Sequence, residues 1–261
     1  MPTMIRPYFA LPSGTGMYHF DHSNEQARTL QGAFPNGWMR QHRSTSLLAY
    51  TFNLLYADAL NNRWSESNPN GVTHFLMLHD DIIPHDNAEG FPWSHDLFRV
   101  MLNHNLGVVS AVVPIKDKSG DCSTAIEDRG GDVMGSTRYK LADFPLGRTV
   151  TSVDEPGLLI NSGCMAIDLT KPWSERLYFH VKDGIRRLSD GTFQAWVDSE
   201  DWNLSRMLRR LGVKYGATAA FRVEHIGLAR YESHKPPRVV QAKLQSVTSD
   251  PDGGKAQEAA P

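Results

Sequence analysis

Two apolar segments with a helical segment between them constrain the fold of this chain more than any other feature. Residues 72–78 form an apolar run of strand length, and residues 108–113 form a second one. Residues 92–103, which lie between them, are predicted to be a helix. The order strand, helix, strand is typical of parallel strands that a right-handed crossover connects. We therefore expect an α/β fold whose central sheet is mostly parallel and is flanked by helices.

Further segments extend this pattern along the chain. Residues 5–12 are predicted to be a short strand, and an apolar stripe predicts a helix over residues 44–61 with polar capping residues at its start. Residues 158–167 are predicted to be a strand that an Asn-Ser-Gly sequence interrupts. A second amphipathic helix is predicted over residues 199–212. The polar, glycine-rich residues 114–150 are expected to form a long loop that covers a site or is mobile.

The composition excludes several classes of protein. Of the 261 residues, 40% are hydrophobic and 21% are charged, which is ordinary for a globular protein and excludes disorder along the whole chain. No run reaches the roughly 18 apolar residues of a membrane helix, and the amino terminus lacks a targeting pattern, so we expect a soluble, cytoplasmic protein. Cys122 and Cys164 are expected to be free thiols. Residues 246–261 are predicted to be a flexible tail.

Charge is distributed unevenly along the chain. Residues 1–175 carry more acidic than basic side chains, whereas residues 176–240 carry more basic than acidic ones. A positive region that faces an acidic site would suit an anionic ligand held through a cation. Solvent-exposed helix faces would produce the same distribution, so both interpretations stay open.

Three polar residues, His79, Asp80 and Asp81, follow the first apolar strand directly. Ligands of α/β proteins bind at the carboxyl edge of the parallel sheet, and carboxylate oxygens there suit Mg²⁺ or Mn²⁺. The alternative is a turn that is acidic without having a function. Two like charges beside a buried strand need compensation, however, so the sequence favours a ligand site here.

Two carboxylates, Glu200 and Asp201, open the helix predicted over residues 199–212. The helix dipole stabilises acidic side chains in a first turn, so ordinary capping explains much of this pattern. The functional alternative is that one of the two, held rigidly at the helix end, takes a proton from an acceptor hydroxyl. Near the other end of the helix, Arg206, Arg209 and Arg210 are expected to complement the dipole.

Two weaker signals complete the set of candidate site residues. His225 follows a strand-like segment, and a neutral imidazole at a strand end can bind a metal ion, although the chain's 11 histidines make a chance placement easy. Pro12 and Ser13 end the first predicted strand and begin a loop of small residues. Such a loop is either a ligand site or a simple connector.

In their order along the chain, these features resemble the nucleotide-sugar-dependent glycosyltransferases of the GT-A fold, in particular the family-2-like branch. The resemblance covers about residues 8–231 and implies a Rossmann-like GT-A domain over residues 1–245. The family's Asp-x-Asp metal motif follows a hydrophobic strand, as residues 79–81 do here. Its acceptor-side strand with a glycine turn resembles residues 161–165, and its Glu-Asp pair at a helix start resembles residues 200–201.

The resemblance also implies roles for individual residues. Asp81 and His225 would hold Mn²⁺ or Mg²⁺, and Asp201 would act as the general base with Glu200 as the fallback. Because His79 stands at the first acidic position of the motif, either the neighbouring Asp80 contacts the ribose or the motif is shifted by one residue. The donor would also meet Pro12, Ser13 and His79. Arg230 and Lys235 are candidates for contacts with its diphosphate, and the alternative is that both are solvated. Trp196 and Trp202 flank the carboxylates and are candidates for stacking on a sugar, and the alternative for one of them is packing into the core.

The function implied is metal-dependent transfer of a sugar from a nucleotide diphosphate donor to an acceptor hydroxyl. The acceptor would be a glycan, a protein, a small molecule or a modified nucleic acid. Two alternatives stay open. A metal-dependent nucleotidyltransferase or phosphohydrolase also needs carboxylates at strand ends, and a non-catalytic GT-A-like module would bind nucleotide or glycan without turnover.

Overall fold

The structure is a computed structural model that describes residues 4–13, 20–35, 39–87, 89–127, 136–227, 229–232 and 238–239. The predicted tail over residues 246–261 and the predicted diphosphate ligand Lys235 lie outside the described residues. The predicted domain boundary at residue 245 lies outside them as well, so it stays a prediction.

Strands and helices alternate over roughly the first 110 residues, and strands predominate in the rest of the chain. The strands are β1 (Pro7–Ser13), β2 (Met39–Ser44), β3 (His74–Leu78), β4 (Ile82–Pro84), β5 (Val108–Ala111), β6 (Asp121–Glu127), β7 (Ser136–Lys140), β8 (Thr149–Thr151), β9 (Leu158–Leu159), β10 (Cys164–Asp168), β11 (Lys182–Arg187), β12 (Phe193–Asp198), β13 (Tyr215–Thr218), β14 (Val223–Ile226), β15 (Ala229–Glu232) and β16 (Arg238–Val239). The α-helices are α1 (Phe20–Ala33), α2 (Leu48–Asn61), α3 (Trp93–Asn103) and α4 (Glu200–Arg210). Short 3₁₀ helices cover Leu141–Asp143 and Pro172–Arg176.

A mostly parallel central sheet forms the middle layer, which confirms the predicted α/β class. Within the described residues this sheet has seven strands in the order β2-β1-β3-β10-β5-β13-β8. Strands β10 and β8 pair antiparallel with their neighbours, and the other strands share one direction. The carboxyl ends of β1, β3 and β5 therefore lie at the same edge of the sheet, where the predicted site residues begin.

Strand β10 lies between the two apolar strands β3 and β5, a position that the sequence did not predict. The strand-helix-strand order suggests that β3 and β5 are parallel, and they are, but β10 lies between them and pairs antiparallel with both. Met165 is opposite Met77 on one side and Ser110 on the other. The apolar character of β10 shows that it is a buried strand, but it does not determine the strand's direction or its neighbours.

Helices cover both faces of the sheet, and β3 contributes to both cores because its side chains alternate. Phe75 and Met77 pack with the α2 side chains Phe52, Leu55, Tyr56 and Ala59. Leu76 and Leu78 pack with the α3 side chains Trp93, Leu97, Phe98 and Met101. Burying one such large side chain stabilises the fold by roughly 1.5–3 kcal/mol.

The predicted helix over residues 44–61 begins later than expected. Its apolar stripe is buried as predicted, but the first helical residue is Leu48, and Leu47 at the N-cap has no capping side-chain hydrogen bond. Residues up to Ser44 belong to β2 instead. Thr45 hydrogen-bonds through its hydroxyl to Thr51 in the first turn, so the polar residues brace the helix start rather than cap it.

Residues 114–150 differ more from the prediction, because part of this polar segment is regular structure. It contains β6 and β7, which pair with each other, and β6 also pairs with β9. Strand β6 buries small residues such as Cys122 and Ala125. A strand built from small and polar side chains lacks the apolar alternation by which strands are predicted. Residues 128–135, between β6 and β7, lie outside the described residues.

A second sheet continues the chain from the end of β3. Strand β4 begins directly after Asp81, and the order of this sheet is β16-β15-β14-β4. Strand β14 pairs antiparallel with β4 so that His225 is opposite Ile82. Residues far apart in the sequence thereby meet at the end of β3. None of the described helices has both the length and the apolar character needed to cross a membrane.

We expect truncation of a buried side chain of β3 to destabilise the protein far more than truncation of an exposed side chain of α3. Leu76→Ala removes a side chain that is fully buried, whereas Leu102→Ala changes one that is 64% exposed. The first substitution should lower the free energy of unfolding by about 2–5 kcal/mol, and the second by less than about 0.5 kcal/mol. Urea unfolding of both variants measures the difference. Equal losses would contradict this description of the core.

Candidate active site

Asp81 and His225 meet at the end of β3. The backbone brings them together, because the amide of Ile226 donates a hydrogen bond to the carbonyl of Asp81 at 2.8 Å. The Nε2 atom of His225 lies 3.5 Å from Oδ2 of Asp81. The two residues that were predicted to bind the metal are therefore neighbours.

The ring of His225 is oriented by a second contact. Its Nδ1 lies 2.7 Å from the carbonyl oxygen of Pro114, which can only accept, so Nδ1 carries the hydrogen. The other ring nitrogen, Nε2, faces Asp81. Metal-binding histidines are commonly oriented in this way, with the second nitrogen bonded to a carbonyl.

Asp81 is negatively charged despite its surroundings. Burial by itself raises the pKa of this carboxyl, but His225, Lys116 and His79 outweigh that effect and hold the pKa well below its usual range. The ammonium group of Lys116 forms an ion pair with Oδ2. The other oxygen, Oδ1, is buried and has no hydrogen-bond partner among the described residues.

This donor set fits a divalent cation that also binds a substrate. One carboxylate with a buried oxygen that lacks a partner and one imidazole nitrogen are ligands that Mn²⁺ accepts. Among the described residues, no group of three or more His, Cys, Asp or Glu side chains comes together as a metal site. A cation held by Asp81 and His225 would thus need phosphate oxygens or water for its remaining ligands, as is usual for Mg²⁺.

His79 and Asp80 are both more buried than a binding residue on an open loop would be. The His79 ring packs against Phe52 with 4.8 Å between ring centroids. Burial lowers the pKa of His79 to about 4 and outweighs the opposing effect of the Asp81 charge, so the ring is neutral at pH 7. Asp80 is 9% exposed. Their contacts with a donor stay predictions.

Pro12 and Ser13 lie at the same edge of the sheet. They end β1, which pairs with β3 so that Ala10 is opposite Met77. Both residues are buried, and the Ser13 hydroxyl has no hydrogen-bond partner among the described residues. An unpaired buried hydroxyl is costly and is commonly found where a ligand supplies the missing partner.

The carboxylate pair at the start of α4 is attached to the Asn-Ser-Gly turn before β10. Asp201 is partly buried, and its Oδ1 accepts hydrogen bonds from the Ser162 amide at 2.8 Å and from the Ser162 hydroxyl. Its Oδ2 accepts from the Asn161 amide group at 3.4 Å. Ser199 caps the helix, as the capping interpretation predicts. Capping of the helix start and a functional role for its carboxylates are therefore compatible.

The same turn contacts the end of β3. The His79 amide donates a hydrogen bond to the carbonyl of Gly163 at 2.8 Å. A side chain at position 163 would overlap that of Ile82, so glycine is needed here for the close approach. Residues 161–163 therefore connect the Asp81 cluster with the helix that carries Glu200 and Asp201.

The two carboxylates at the helix start have different surroundings. Burial and the neighbouring Asp201 charge raise the pKa of Glu200 to about 7. Burial also raises the pKa of Asp201, but the hydrogen bonds from Ser162 oppose that effect. Glu200 therefore changes its charge near neutral pH, whereas the oxygens of Asp201 are engaged by the turn.

Arg206 and Arg209 have a role that the sequence did not indicate. Both bind the carboxylate of Glu127 at the end of β6, and Arg206 also binds Asp198 at the end of β12. They join α4 to two strands, which adds to the predicted role of complementing the helix dipole, and Arg209 lies in the last turn of α4. No local pattern could have identified Glu127, which lies 79 residues before Arg206.

Trp202 lies in the first turn of α4 and Trp196 lies in the preceding strand, β12, and each contacts a different part of the chain. The guanidinium of Arg138 lies 5.5 Å from the ring centroid of Trp202. Trp196 lies over Gly184 of the β11–β12 hairpin, where its Nε1 would be 3.1 Å from an added Cβ. Arg230 lies in β15. Stacking on a sugar by either indole and a diphosphate contact by Arg230 stay predictions.

Lys116 is the site residue that sequence reasoning missed. It lies in the polar segment after β5, and nothing in the local sequence distinguishes it from Lys118 two residues later. The structure distinguishes the two lysines, because among the described residues only Lys116 of the two forms an ion pair, with Asp81. A polar loop at the carboxyl edge of a parallel sheet is the one signal that could have pointed to it.

The fold has a counterpart among solved structures. The crystal structure of A197 from STIV matches with a TM-score of 0.50 and 11% sequence identity, and the match covers 90% of this chain and 94% of that chain. At this identity the likeness concerns the fold alone. No protein-family model matches the chain, and no curated protein matches it.

We expect Glu200 to titrate near neutral pH. Its NMR titration midpoint should be about 7 instead of the ordinary 4.5. Because the folded state holds this proton more tightly than the unfolded chain, the carboxyl favours folding at low pH and loses that advantage as the pH rises through 7. The stability of the protein relative to Glu200→Gln should thus fall between pH 5 and pH 8. A midpoint near 4.5, or a constant difference in stability, would contradict the assignment.

Proposed function

We propose that this chain is a divalent-cation-dependent glycosyltransferase that moves a sugar from a nucleotide diphosphate donor to an acceptor hydroxyl. The observation that carries the proposal is the turn at residues 161–163. It bonds to His79 beside Asp81 on one side and to Asp201 on the other. One short segment thereby holds the proposed cation site and the helix start that carries Glu200 and Asp201 at one edge of the sheet.

Two further findings support this proposal. The order of the motifs resembles family-2-like glycosyltransferases of the GT-A fold, and the mostly parallel sheet flanked by helices suits that fold. The histidine expected to complete the metal site, His225, lies beside Asp81 although 144 residues separate the two positions in the sequence.

The leaving group of such a transfer is a nucleoside diphosphate, on which negative charge builds up as the glycosidic bond breaks. A divalent cation, when bound, supplies a positive charge that stabilises this leaving group. Asp81 and His225 are the residues that would hold it. Ser13 offers a buried hydroxyl to the donor, and neutral His79 offers an uncharged ring nitrogen that has no hydrogen-bond partner among the described residues.

The contacts favour Glu200 over Asp201 as the general base, which reverses the order that the resemblance implies. In an inverting transfer, the acceptor oxygen bonds to the anomeric carbon while its proton passes to a base. A base is most effective when its pKa is close to the working pH, as burial and Asp201 make it for Glu200. Asp201 accepts hydrogen bonds from Asn161 and Ser162 and therefore positions the turn.

The products separate this proposal from its alternatives. Purified protein is incubated with UDP-, GDP- or dTDP-sugars, with and without Mn²⁺, and the nucleotide products are identified by chromatography. A glycosyltransferase releases the nucleoside diphosphate, and slow hydrolysis of the donor does so even without an acceptor. Release of nucleoside monophosphate and sugar 1-phosphate would indicate a phosphohydrolase. In a parallel incubation with nucleoside triphosphates and a sugar 1-phosphate, release of pyrophosphate would indicate a nucleotidyltransferase. Binding of a nucleotide without any product would indicate a non-catalytic module.

Substitution of Asp81 should remove the effect of the cation. With the wild-type protein, Mn²⁺ and the matching nucleoside diphosphate together should raise the melting temperature, because a ligand that binds only the folded state stabilises it. Asp81→Asn should abolish this rise and lower turnover by about 100-fold or more. Asp117→Asn changes an exposed carboxylate on the neighbouring loop and serves as the matched control. An unchanged Mn²⁺ effect in Asp81→Asn would exclude this metal site.

The two carboxylates of α4 should respond differently to neutralisation. Glu200→Gln should lower kcat by about 100-fold to 10,000-fold with little change in the KM for the donor, because it removes the proton acceptor alone. It should also remove the rise of kcat that the wild type shows as the pH approaches 7. Asp201→Asn should lower the melting temperature as well, because its contacts with the turn are altered. A larger loss of kcat with intact stability in Asp201→Asn would return the role of base to Asp201.

A further inference from the structure

The contact between Lys116 and Asp81 raises a question that the proposed function does not answer. Both the ammonium of Lys116 and the imidazole of His225 approach the same oxygen, Oδ2 of Asp81. A divalent cation bound by Asp81 and His225 would therefore lie beside the Lys116 ammonium. Like charges at such short separations repel strongly in a partly buried site.

The surroundings of Lys116 allow its charged end to move while its backbone stays in place. Before it, the Pro114 carbonyl accepts the His225 hydrogen bond, and Pro114 forms a bridge with Cys122. The alkyl chain lies over Gly227, where an added Cβ would be 3.1 Å from Cδ of Lys116. The side chain is 39% exposed, so other rotamers are accessible to the ammonium group.

Building on the proposed function, we infer that the Lys116 ammonium pairs with the Asp81 carboxylate as long as no cation is bound. When a divalent cation binds, the ammonium moves to the diphosphate of the donor. The lysine is then both a competitor of the cation and a ligand of the diphosphate. No covalent bond changes in this step. One ammonium group exchanges a carboxylate oxygen for a phosphate oxygen and keeps its charge.

This arrangement makes binding of cation and nucleotide depend on each other. With no diphosphate present, the cation must displace Lys116 from Asp81 and leave the ammonium beside it without a counter-charge. When the diphosphate is present, it accepts the ammonium, so the cation binds more tightly. By thermodynamic reciprocity the cation strengthens nucleotide binding by the same factor. The protein would thereby bind the cation mainly together with its substrate.

Lys116→Met is the variant that tests this inference, because methionine keeps an unbranched side chain over Gly227 and removes the charge. It should bind Mn²⁺ alone more tightly than the wild type, by about fivefold or more, because the competitor is gone. In saturating Mn²⁺ it should bind the nucleoside diphosphate more weakly, by about tenfold, because one phosphate ligand is lost. A residue that merely supports the loop would not change the two affinities in opposite directions.

The measurements use the full chain and do not require turnover. The electron paramagnetic resonance signal of free Mn²⁺ gives the metal affinity, and calorimetric titration with UDP, GDP or dTDP in Mn²⁺ gives the nucleotide affinity. Lys118→Met is the matched control, since Lys118 is an exposed lysine of the same loop, and both its affinities should equal those of the wild type. Lys116→Gln repeats the test with a polar side chain, and melting curves confirm that each variant is folded.

The outcomes separate this inference from the proposed function. Opposite changes in Lys116→Met and Lys116→Gln, with none in Lys118→Met, support it. If Mn²⁺ and a nucleoside diphosphate strengthen each other's binding but Lys116→Met binds Mn²⁺ no more tightly, the inference is wrong and the proposed function stands. If both affinities fall together, Lys116 is not a competitor. If no nucleoside diphosphate binds to any folded variant, the proposed function and the inference are both wrong.

Discussion

The antiparallel pairing of β10 with β3 is the constraint on which the rest of the site depends. It places Cys164 opposite Leu78, so the residue before β10, Gly163, lies beside His79 and accepts its amide hydrogen. The two residues before that, Asn161 and Ser162, then reach the start of α4. Since a shift of one residue in the pairing would turn every side chain of β10 to the other face, this register is strongly determined.

Buried charge shapes both halves of the site. Asp81 keeps its charge because Lys116 and His225 lie against it, and Asp201 has the hydrogen-bond donors of Ser162. Burial, together with the neighbouring Asp201 carboxylate, raises the pKa of Glu200 to about 7, and burial raises the pKa of Asp201 as well against the hydrogen bonds from Ser162. A carboxyl group whose pKa lies near 7 can exchange a proton at neutral pH. Asp81 and Asp201 are therefore suited to binding and positioning, whereas Glu200 is suited to proton transfer.

Local periodicity explains which parts of the fold were predictable. The stripe of α2 and the apolar run of β3 are buried as expected, because each pattern reports the face that one element hides from water. Strands β6 and β7 were missed because small and polar side chains form them. Among the candidate residues, Asp81 and His225 were paired by a family resemblance, and the contact between β4 and β14 brings them together. Lys116 and Glu127 carry no local signal, since their partners lie 35 and 79 residues away.

The sequence by itself determined the α/β class, the buried faces of α2 and β3, and the acidic residues that follow β3 and open α4. These properties depend on neighbouring residues only, so a single segment contains the information. The tertiary structure alone decided that β10 lies between β3 and β5 and that the turn at residues 161–163 connects the end of β3 with the start of α4. It also decided that the ammonium of Lys116 pairs with Asp81. Those contacts join segments distant in the chain, and the physical reason they form is the packing of the whole sheet, which brings its strand ends to a common edge.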